Sequence, residues 1–312
     1  MSSCGCNVTL SNTGTAGCST AMAIAKKIVF VNKINSGGNP QFVSVAFAKL
    51  FSNVENYLNV GTAPKSRWFP SPELENLEDL REDPVFQTFN SGLQAKVRDG
   101  FRTFTAYIPN GDTELLGRLK SYECSEIGAF IIDQDDNFIH SNGGDATIPQ
   151  VNAYPILIDK NTWDVQLVKP TDAEVQMIMI KFQWKQSEKD ENLRMIPSTA
   201  LDWTREDLYG LINVYGTEIT CGQTSTVVDI YAINSTSETE PITGLLAGNF
   251  GAYNLTTSSS VTVTGVSEST TIAGRYTLTY ASQTVADELQ FSIAKNRYDS
   301  EVGLEQTVFT VV

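Results

Sequence analysis

The side chains most often used for catalysis are scarce in this sequence. Among its 312 residues there is one histidine, His140, and Ser141 follows it directly. Neighbouring residues of a strand point to opposite faces, so an adjacent Ser–His pair does not predict a catalytic triad. We interpret His140 as a surface or turn histidine. The nucleophile elbow, the phosphate-binding loop and the zinc-protease motif are also missing from the sequence, and we expect a protein that is not an enzyme and has no catalytic residues.

One segment begins like a calcium-binding loop. Asp133–Asn137 places acidic or amide side chains at the first, third and fifth positions of such a loop. Phe138 then stands where the loop needs glycine, and Gly144 stands where it needs a bidentate glutamate. We therefore interpret Asp133–Asn137 as a solvated hairpin turn.

The five cysteines favour free thiols over a disulfide framework, because they are odd in number and spread over a long chain. Cys4, Cys6 and Cys18 have no fourth Cys or His nearby, so we interpret them as free thiols on a segment that packs against another surface. A structural zinc is the alternative. Cys124 is predicted to be a small buried hydrophobic residue, and Cys221 completes the set. We expect no metal and no cofactor.

The chain is acidic, with 36 acidic and 22 basic residues and a formal charge of −14. This sign disfavours binding to nucleic acid phosphates or to anionic membranes, but it suits a channel through which DNA must slide without sticking. The densest acidic run is interpreted as a solvated loop or helix face, or alternatively as a charged surface that lines a channel or meets a partner subunit; it comprises Glu73, Glu75, Glu78, Asp79, Glu82 and Asp83.

Neither a membrane span nor a signal peptide is recognisable in the sequence. No run reaches 18 apolar residues, and the first residues lack the charged and apolar regions of a secretory leader. We expect a protein that is made and kept in the cytoplasm and has no membrane partner.

Residue alternation predicts the strands of the first two thirds of the chain. Phe101–Ile108 alternates with period two and is rich in aromatic and β-branched residues, which predicts a strand. Glu126–Asp133 and Asn137–His140 flank a turn and predict a β-hairpin. Glu174–Lys185 is apolar on both faces in its middle, as expected of a central strand that ends in solvent.

Helical signals are fewer. Thr113–Tyr122 has a leucine-rich face, with Asp112 or Thr113 as N-cap, and predicts a short amphipathic helix. Ser198–Ile212 has helical spacing and is predicted to close the first domain. Glu73–Arg81 is interpreted as an acidic, helical loop within a longer loop, Thr62–Pro84.

The composition and pattern of the sequence change near Asn213–Gly216, from mixed strand and helix signals to short alternations of Thr, Ser and Val interrupted by glycine. This predicts one domain over residues 1–213 and an immunoglobulin-like β-sandwich with its own core over residues 214–312. Tyr276 is expected to be a buried corner tyrosine. The strands are predicted at Ser225–Ala232, Tyr253–Thr256, Ser260–Val266, Gly274–Tyr280, Leu289–Lys295 and Gln306–Val312.

Several segments together resemble the major tail tube proteins of long-tailed bacteriophages. They span most of the first 200 residues and are Cys6–Cys18, Arg67–Asp79, Ser91–Ile108, Cys124–Ile139, Pro155–Gln166 and Val175–Ile196. The resemblance implies a mainly β fold: a tail-tube-like β-sandwich or split barrel with a flanking α-helix, here Thr113–Tyr122, followed by the immunoglobulin-like β-sandwich as an outward decoration.

The same resemblance implies a structural virion protein. Copies would form homo-hexameric rings that stack through the N-terminal arm and the Thr62–Pro84 loop into a tube for DNA ejection. The implied partners are further copies, other tail proteins (sheath or terminator, tape measure and baseplate) and DNA in transient passage without specific binding. The implied location is the virion tail, after synthesis in the host cytoplasm.

Two other classes of protein fit part of the sequence. A capsid or capsid-decoration protein would share the composition. Its subunit should have a long spine helix, however, and this sequence predicts only short helices. A virion-borne adhesin that binds host-surface glycans would carry exposed aromatic residues, for which the candidates are Trp68, Trp163, Trp184 and Trp203.

Overall fold

The protein is mainly β, as its sequence predicts. The computed structural model describes residues 21–59, 62–144, 149–172, 175–233, 239–301 and 303–312. The N-terminal arm, with Cys4, Cys6 and Cys18, lies outside the described residues. Before residue 200 the strands are β1 (Ala25–Asn32), β2 (Val43–Ser44), β3 (Trp68–Pro70), β4 (Glu75–Arg81), β5 (Val85–Thr88), β6 (Gln94–Arg98), β7 (Arg102–Pro109), β8 (Ile127–Asp133), β9 (Phe138–Ser141), β10 (Asn152–Ala153), β11 (Ile156–Leu157), β12 (Asp164–Val168), β13 (Met177–Gln183) and β14 (Leu193–Ile196).

The remaining strands follow residue 210: β15 (Ile212–Asn213), β16 (Tyr215–Cys221), β17 (Ser225–Ile233), β18 (Thr239–Pro241), β19 (Phe250–Asn254), β20 (Ser259–Val261), β21 (Val263–Glu268), β22 (Arg275–Tyr280), β23 (Glu288–Ile293), β24 (Tyr298–Asp299) and β25 (Phe309–Thr310). The described α-helices are short: α1 (Val45–Ala48), α2 (Phe51–Leu58) and α3 (Thr113–Lys120). Single 3₁₀ turns connect several elements.

Two sheets build the first part of the chain. The first, which we call the buried sheet, has the strand order β14–β9–β8–β1–β3, with β11 also pairing with β8. The second, the open sheet, has the order β12–β13–β7–β4. The predicted hairpin is confirmed as β8–β9, where Ile131 pairs with Ile139. The predicted central strand is confirmed as β13, which lies between β12 and β7.

The buried sheet has apolar side chains on both of its faces. Ile28 and Phe30 of β1 face a core shared with the open sheet. The alternate residues Val29 and Val31 face a second core, which α1, α2 and the chain around Trp203 cover. This sheet therefore forms the middle layer of the first part, and the open sheet forms an outer layer.

The predicted helix at Thr113–Tyr122 is confirmed as α3. The carboxylate of Asp112 accepts a hydrogen bond from the Leu115 backbone N–H at 2.6 Å, which satisfies one of the free donors of the first turn. Leu119 is buried in the core between the two sheets. The helix thus packs as the amphipathic pattern predicts.

The helix predicted at Ser198–Ile212 is wrong, because the segment contains only two 3₁₀ turns and extended backbone. Carbonyl groups of this segment accept hydrogen bonds from a side chain elsewhere in the chain instead of from the backbone N–H four residues later. The ammonium of Lys27 donates to the carbonyl oxygens of Arg205 and Leu208 at 2.7 and 2.8 Å. Trp203 is buried, and its indole N–H donates to a carbonyl of α1. Tertiary contacts therefore replace the helical hydrogen bonds.

The helical loop predicted at Glu73–Arg81 is also wrong, because most of it is strand β4. Strand β4 pairs antiparallel with β7, with Leu80 opposite Thr103. A bulge near its start contains Asn76 at φ 48°. The predicted Thr62–Pro84 loop accordingly contains β3 and β4, because these strands satisfy the backbone of β1 and β7.

After residue 213 the chain forms a two-sheet sandwich around one core. The sheets have the orders β16–β17–β22–β21, with β18 on β17, and β20–β19–β23–β25. The core residues of this part begin at Val214. Tyr276 is buried as predicted, and its hydroxyl donates to the Ile242 carbonyl at 2.9 Å and accepts from the Leu245 N–H at 3.2 Å. A short parallel pairing of β15 with β24 joins this part to the preceding chain.

Candidate assembly surface

The open sheet has two free edges. Strands β13 and β7 each pair on both sides, whereas β4 and β12 each pair with one strand only among the described residues. An edge strand presents unpaired N–H and C=O groups, which can pair with another chain. The two edges lie on opposite sides of the same sheet, so one copy of the chain offers both halves of a sheet-extending contact.

The two faces of the open sheet differ. Phe104, Ile180 and Phe182 are fully buried and pack on the core shared with the buried sheet. The alternate residues face away from that core and form rows across the four strands. One row consists of Asp164, Lys181, Thr105 and Glu78, which are joined by the strand registers.

The bare face mixes polar and apolar side chains. Next to the row just described, Gln166 pairs in register with Met179, and Gln183 pairs with Thr103. The row itself carries two carboxylates, Glu78 and Asp164, and one ammonium, Lys181. The charged row is therefore weakly acidic, and the rows beside it mix hydroxyl and amide groups with Met179, Tyr107 and Leu80.

Three charged residues fix one end of the open sheet. The Arg102 guanidinium on β7 holds the Asp79 carboxylate on β4 through two hydrogen bonds, of 2.8 and 2.6 Å. Arg102 also contacts Asp190 at 3.2 Å. A bidentate pair of this kind fixes geometry as well as contributing energy. Asp79 is thereby used for structure, and it does not belong to the bare face.

A two-stranded hairpin, Val85–Arg98, extends the connection between β4 and β7. Its strands β5 and β6 pair with each other and with no other described strand. Gly100 is required at its base, because a Cβ there would lie 1.7 Å from the Glu82 carbonyl oxygen. The Glu82 N–H in turn donates to the Phe101 carbonyl at 2.8 Å.

The hairpin exposes large apolar side chains, namely Val85, Phe86, Phe89, Leu93 and Val97. Leu93 is 65% exposed and Phe89 is 44% exposed, both at the tip. An isolated two-stranded hairpin is only marginally stable in water, and clustered exposed apolar residues mark interaction sites. This hairpin is not among the elements that the sequence pattern predicts. The turn residues Asn90–Gly92, with Gly92 at φ 81°, were the signal for it.

A cleft of about 700 Å³ lies beside α3. We call it the α3 cleft; its lining includes Phe69, Pro72, Leu115, Gly117, Leu211 and Asp299. It lies where α3, the end of β3, the chain after Leu208 and β24 meet. Gly117 faces open space, since a Cβ placed there would contact no atom within 4 Å. The groups around the cleft are mostly apolar, as in sites that bind other molecules.

The prediction that His140 is a surface or turn residue is wrong, because His140 is 1% exposed on strand β9. Its ring Nδ1 lies 2.9 Å from the Ser141 carbonyl oxygen, so Nδ1 donates. Burial lowers the pKa of His140, the Ser141 carbonyl opposes this, and the nearby Arg194 charge lowers it further. The Ser141 hydroxyl donates instead to Glu188, at 2.8 Å. His140 and Ser141 thus form no nucleophile–base hydrogen bond.

The calcium-like segment is a hairpin turn, as predicted, but it is not solvated throughout, because Asp133 and Asn137 are buried. The Asp133 carboxylate accepts hydrogen bonds from the backbone N–H groups of Ala23, Asp135 and Asn137 and from the Asn137 side-chain amide. Its oxygens are therefore occupied by the chain. The described ranges contain no cluster of His, Cys, Asp and Glu that could hold a metal ion.

Two further predictions about single residues are corrected. Cys124 is exposed, not buried, because it lies in a turn after α3 with φ 65°. The four tryptophans on which the glycan-binding alternative rests are buried, at 2–8% exposure. They fill the two cores of the first part.

Comparison with known proteins gives no match: no family model, no curated protein and no solved structure is similar to this chain. In the parts of the chain that the structure describes, no helix is long and apolar enough to cross a membrane.

Proposed function

We propose that this chain is a structural virion protein that polymerises as stacked hexameric rings and forms the tail tube of a long-tailed phage. The sequence resemblance suggests the role. The observation that carries it is the open sheet, which combines two free edges, one packed face and one bare face with a charged row. In this proposal, strand β4 of one copy pairs with strand β12 of the next. The sheets then continue around a ring, which closes them into a barrel and removes the edges.

Barrel geometry is compatible with a ring of about six copies. Strands about 4.8 Å apart and tilted by about 40° give a backbone diameter near 48 Å for roughly 24 strands, four from each copy. Side chains about 5 Å long leave a lumen near 38 Å, which is wider than duplex DNA. Three copies would leave about 14 Å by the same geometry, which is too narrow for a duplex. A channel for duplex DNA is therefore compatible with six copies and excludes a ring of three.

The bare face would line this channel. Glu78 and Asp164 would repel the phosphates, and a single Lys181 in the same row would not reverse the sign. The neutral hydroxyl and amide groups between them bind phosphate only weakly compared with arginine or lysine. Such a surface lets DNA slide, which gives the acidic composition a role.

The proposal is tested by electron microscopy of the concentrated, purified protein. We expect six-fold rings and tubes for the wild type. Leu80→Lys places a charge on the exposed edge strand β4, where Leu80 is 64% exposed, and should abolish rings because edge lysines block strand pairing. Leu246→Lys is the matched control at a 72% exposed leucine after residue 213, and should leave the rings unchanged. A wild type that stays monomeric at all concentrations would contradict the proposal.

A further inference from the structure

We propose that Asn110 is a site of spontaneous deamidation, and that the fold protects the other asparagine followed by glycine, Asn142. The sequence contains these two Asn–Gly steps, Asn110–Gly111 and Asn142–Gly143. Asparagine is a thermolabile residue, and a following glycine offers the least steric resistance to its reaction because it has no side chain. The inference goes beyond the proposed tail tube and does not depend on it, since the reaction takes place within one copy of the chain.

The reaction needs only the chain and solvent water. The backbone nitrogen of Gly111 attacks the side-chain Cγ of Asn110, and the new N–C bond closes a cyclic imide. The bond between Cγ and Nδ2 breaks, and this nitrogen leaves as ammonia with the proton lost from the Gly111 N–H. Water then opens the imide at one of its two carbonyls. Opening at Cγ gives aspartate, and opening at the backbone carbonyl gives isoaspartate.

The reacting groups at Asn110 are unpaired. Asn110 is exposed directly after β7, in a left-handed conformation at φ 55° that asparagine tolerates. Among the described residues, no group pairs with the Asn110 side-chain amide or accepts from the Gly111 N–H. Gln176 holds the neighbouring backbone groups, since its carbonyl accepts from the Asn110 N–H at 2.9 Å and its amide donates to the Gly111 carbonyl at 2.7 Å. The electrophile and the nucleophile of the reaction are therefore both free.

The corresponding groups at Asn142 are engaged. Asn142 is 5% exposed, and its Oδ1 accepts a hydrogen bond from the Gly144 N–H at 2.9 Å. The Gly143 N–H, which would be the nucleophile, donates to the Ser141 hydroxyl at 3.1 Å. Tyr154 packs closely on Gly143, where a Cβ would lie 2.6 Å from the ring. Ring closure at Asn142 therefore requires local opening first, which lowers its rate.

Deamidation of Asn110 would alter the start of α3. Each event replaces a neutral amide with a carboxylate close to Asp112, the N-cap of the helix. Isoaspartate also lengthens the backbone by one methylene, because the chain then runs through Cβ and Cγ. Gly111 packs tightly, since a Cβ placed there would lie 2.6 Å from Ile178. We therefore expect the isoaspartate form to displace the Asp112 cap and to unfold at a lower temperature than the unmodified protein.

The test follows both asparagines in the folded, full-length protein at mildly alkaline pH, by peptide mapping that separates asparagine, aspartate and isoaspartate. We expect Asn110 to convert at least about tenfold faster than Asn142, because two hydrogen bonds and the surrounding packing must open before Asn142 reacts. Both aspartate and isoaspartate should form at residue 110, as opening of an imide requires. Asn110→Gln is the matched control, since its longer side chain must close a larger ring, and its peptide should stay unmodified over the same period.

The unfolded chain separates the effect of the fold from that of the local sequence. In guanidinium chloride neither asparagine keeps its native contacts, and the two should react at similar rates. A difference that persists there would assign it to the neighbouring residues and would overturn the protective role of the fold. Equal rates in the folded protein, no reaction at Asn110 while the unfolded chain reacts, or aspartate as the sole product would each overturn the inference. None of these outcomes depends on whether the protein forms rings or tubes.

Discussion

Arg67 and Asp299 face each other across the junction between the two parts of the chain, with Nη1 and Oδ2 3.6 Å apart. The Arg67 side chain is 6% exposed and also contacts Glu301, at 3.1 Å. Its Nε donates to the Thr62 carbonyl at 2.6 Å. One buried guanidinium thus binds carboxylates from the second part while anchored in the first. This contact and the β15–β24 pairing fix the orientation of the sandwich beside the α3 cleft.

Replacing Arg67 should destabilise the junction. Arg67→Met leaves two carboxylates near each other without a cation, and removing one partner of a buried pair costs about 3 kcal/mol. All four tryptophans precede residue 213, so tryptophan fluorescence during urea unfolding reports the first part alone. We expect its midpoint to fall. Arg81→Met is the control, because the Arg81–Asp190 pair also lies in the first part, is more exposed and should cost less than about 1 kcal/mol. Equal losses in the two variants would contradict a special role for Arg67.

Two glycines should respond oppositely to alanine. Gly117 lies within α3 with open space around its Cβ position, so Gly117→Ala should stabilise the protein by about 1 kcal/mol through helix propensity. Gly100→Ala should destabilise it by more than 1 kcal/mol, since the new Cβ would overlap the Glu82 carbonyl at 1.7 Å. Thermal unfolding measures both. A stable Gly100→Ala variant would mean that the hairpin base moves freely.

Reversing the charge of the bare face should make the tube bind DNA. Glu78→Lys combined with Asp164→Lys changes the formal charge of each copy by +4, on the face proposed to line the channel. We expect DNA retention by assembled tubes that weakens as salt rises, because the binding releases counterions. Glu240→Lys combined with Glu288→Lys makes the same change on exposed residues of the second part and should not retain DNA inside the tubes. Equal retention by both variants would remove the proposed lumen assignment.

Stability should decrease in mild acid because of His140. The folded-state pKa of His140 is lowered from 6.5, mainly by burial, so the unfolded chain takes up the proton first as the pH falls. The stabilisation is present in full above pH 6.5, and it is lost as the pH falls from 6.5 toward the lower folded-state pKa. The slope is at most about 1.4 kcal/mol per pH unit for one proton.

The control for this pH dependence is His140→Gln, which removes the only histidine of the sequence. Urea unfolding between pH 7.5 and 5.5 should show the loss in the wild type and not in His140→Gln. Burial also raises the pKa of the Glu188 carboxyl, which opposes the loss at the acidic end, so Glu188→Gln should steepen it. An unchanged slope in His140→Gln would assign the titration to another group.

Local patterns determined several elements. The alternation at Phe101–Ile108 gave a strand, because period two is a property of extended backbone that survives in any sheet with one buried face. The Asp112 cap and the leucine face of Thr113–Tyr122 gave α3, because a capping side chain acts on the turn that follows it. The turn after Asp133 gave the β8–β9 hairpin. In each case the interacting groups lie close together in the sequence.

Only the tertiary structure decided the rest, because burial depends on groups far apart in the sequence. Lys27 reaches the chain near Arg205 and replaces the helix expected there. His140 and the tryptophans are buried by strands and helices that arrive from other parts of the chain. The free edges of β4 and β12, and the α3 cleft at the junction, exist only once distant strands have been placed side by side. The sequence by itself determined a mainly β, acidic chain, and the packing of its sheets decided which faces and edges remain for a partner.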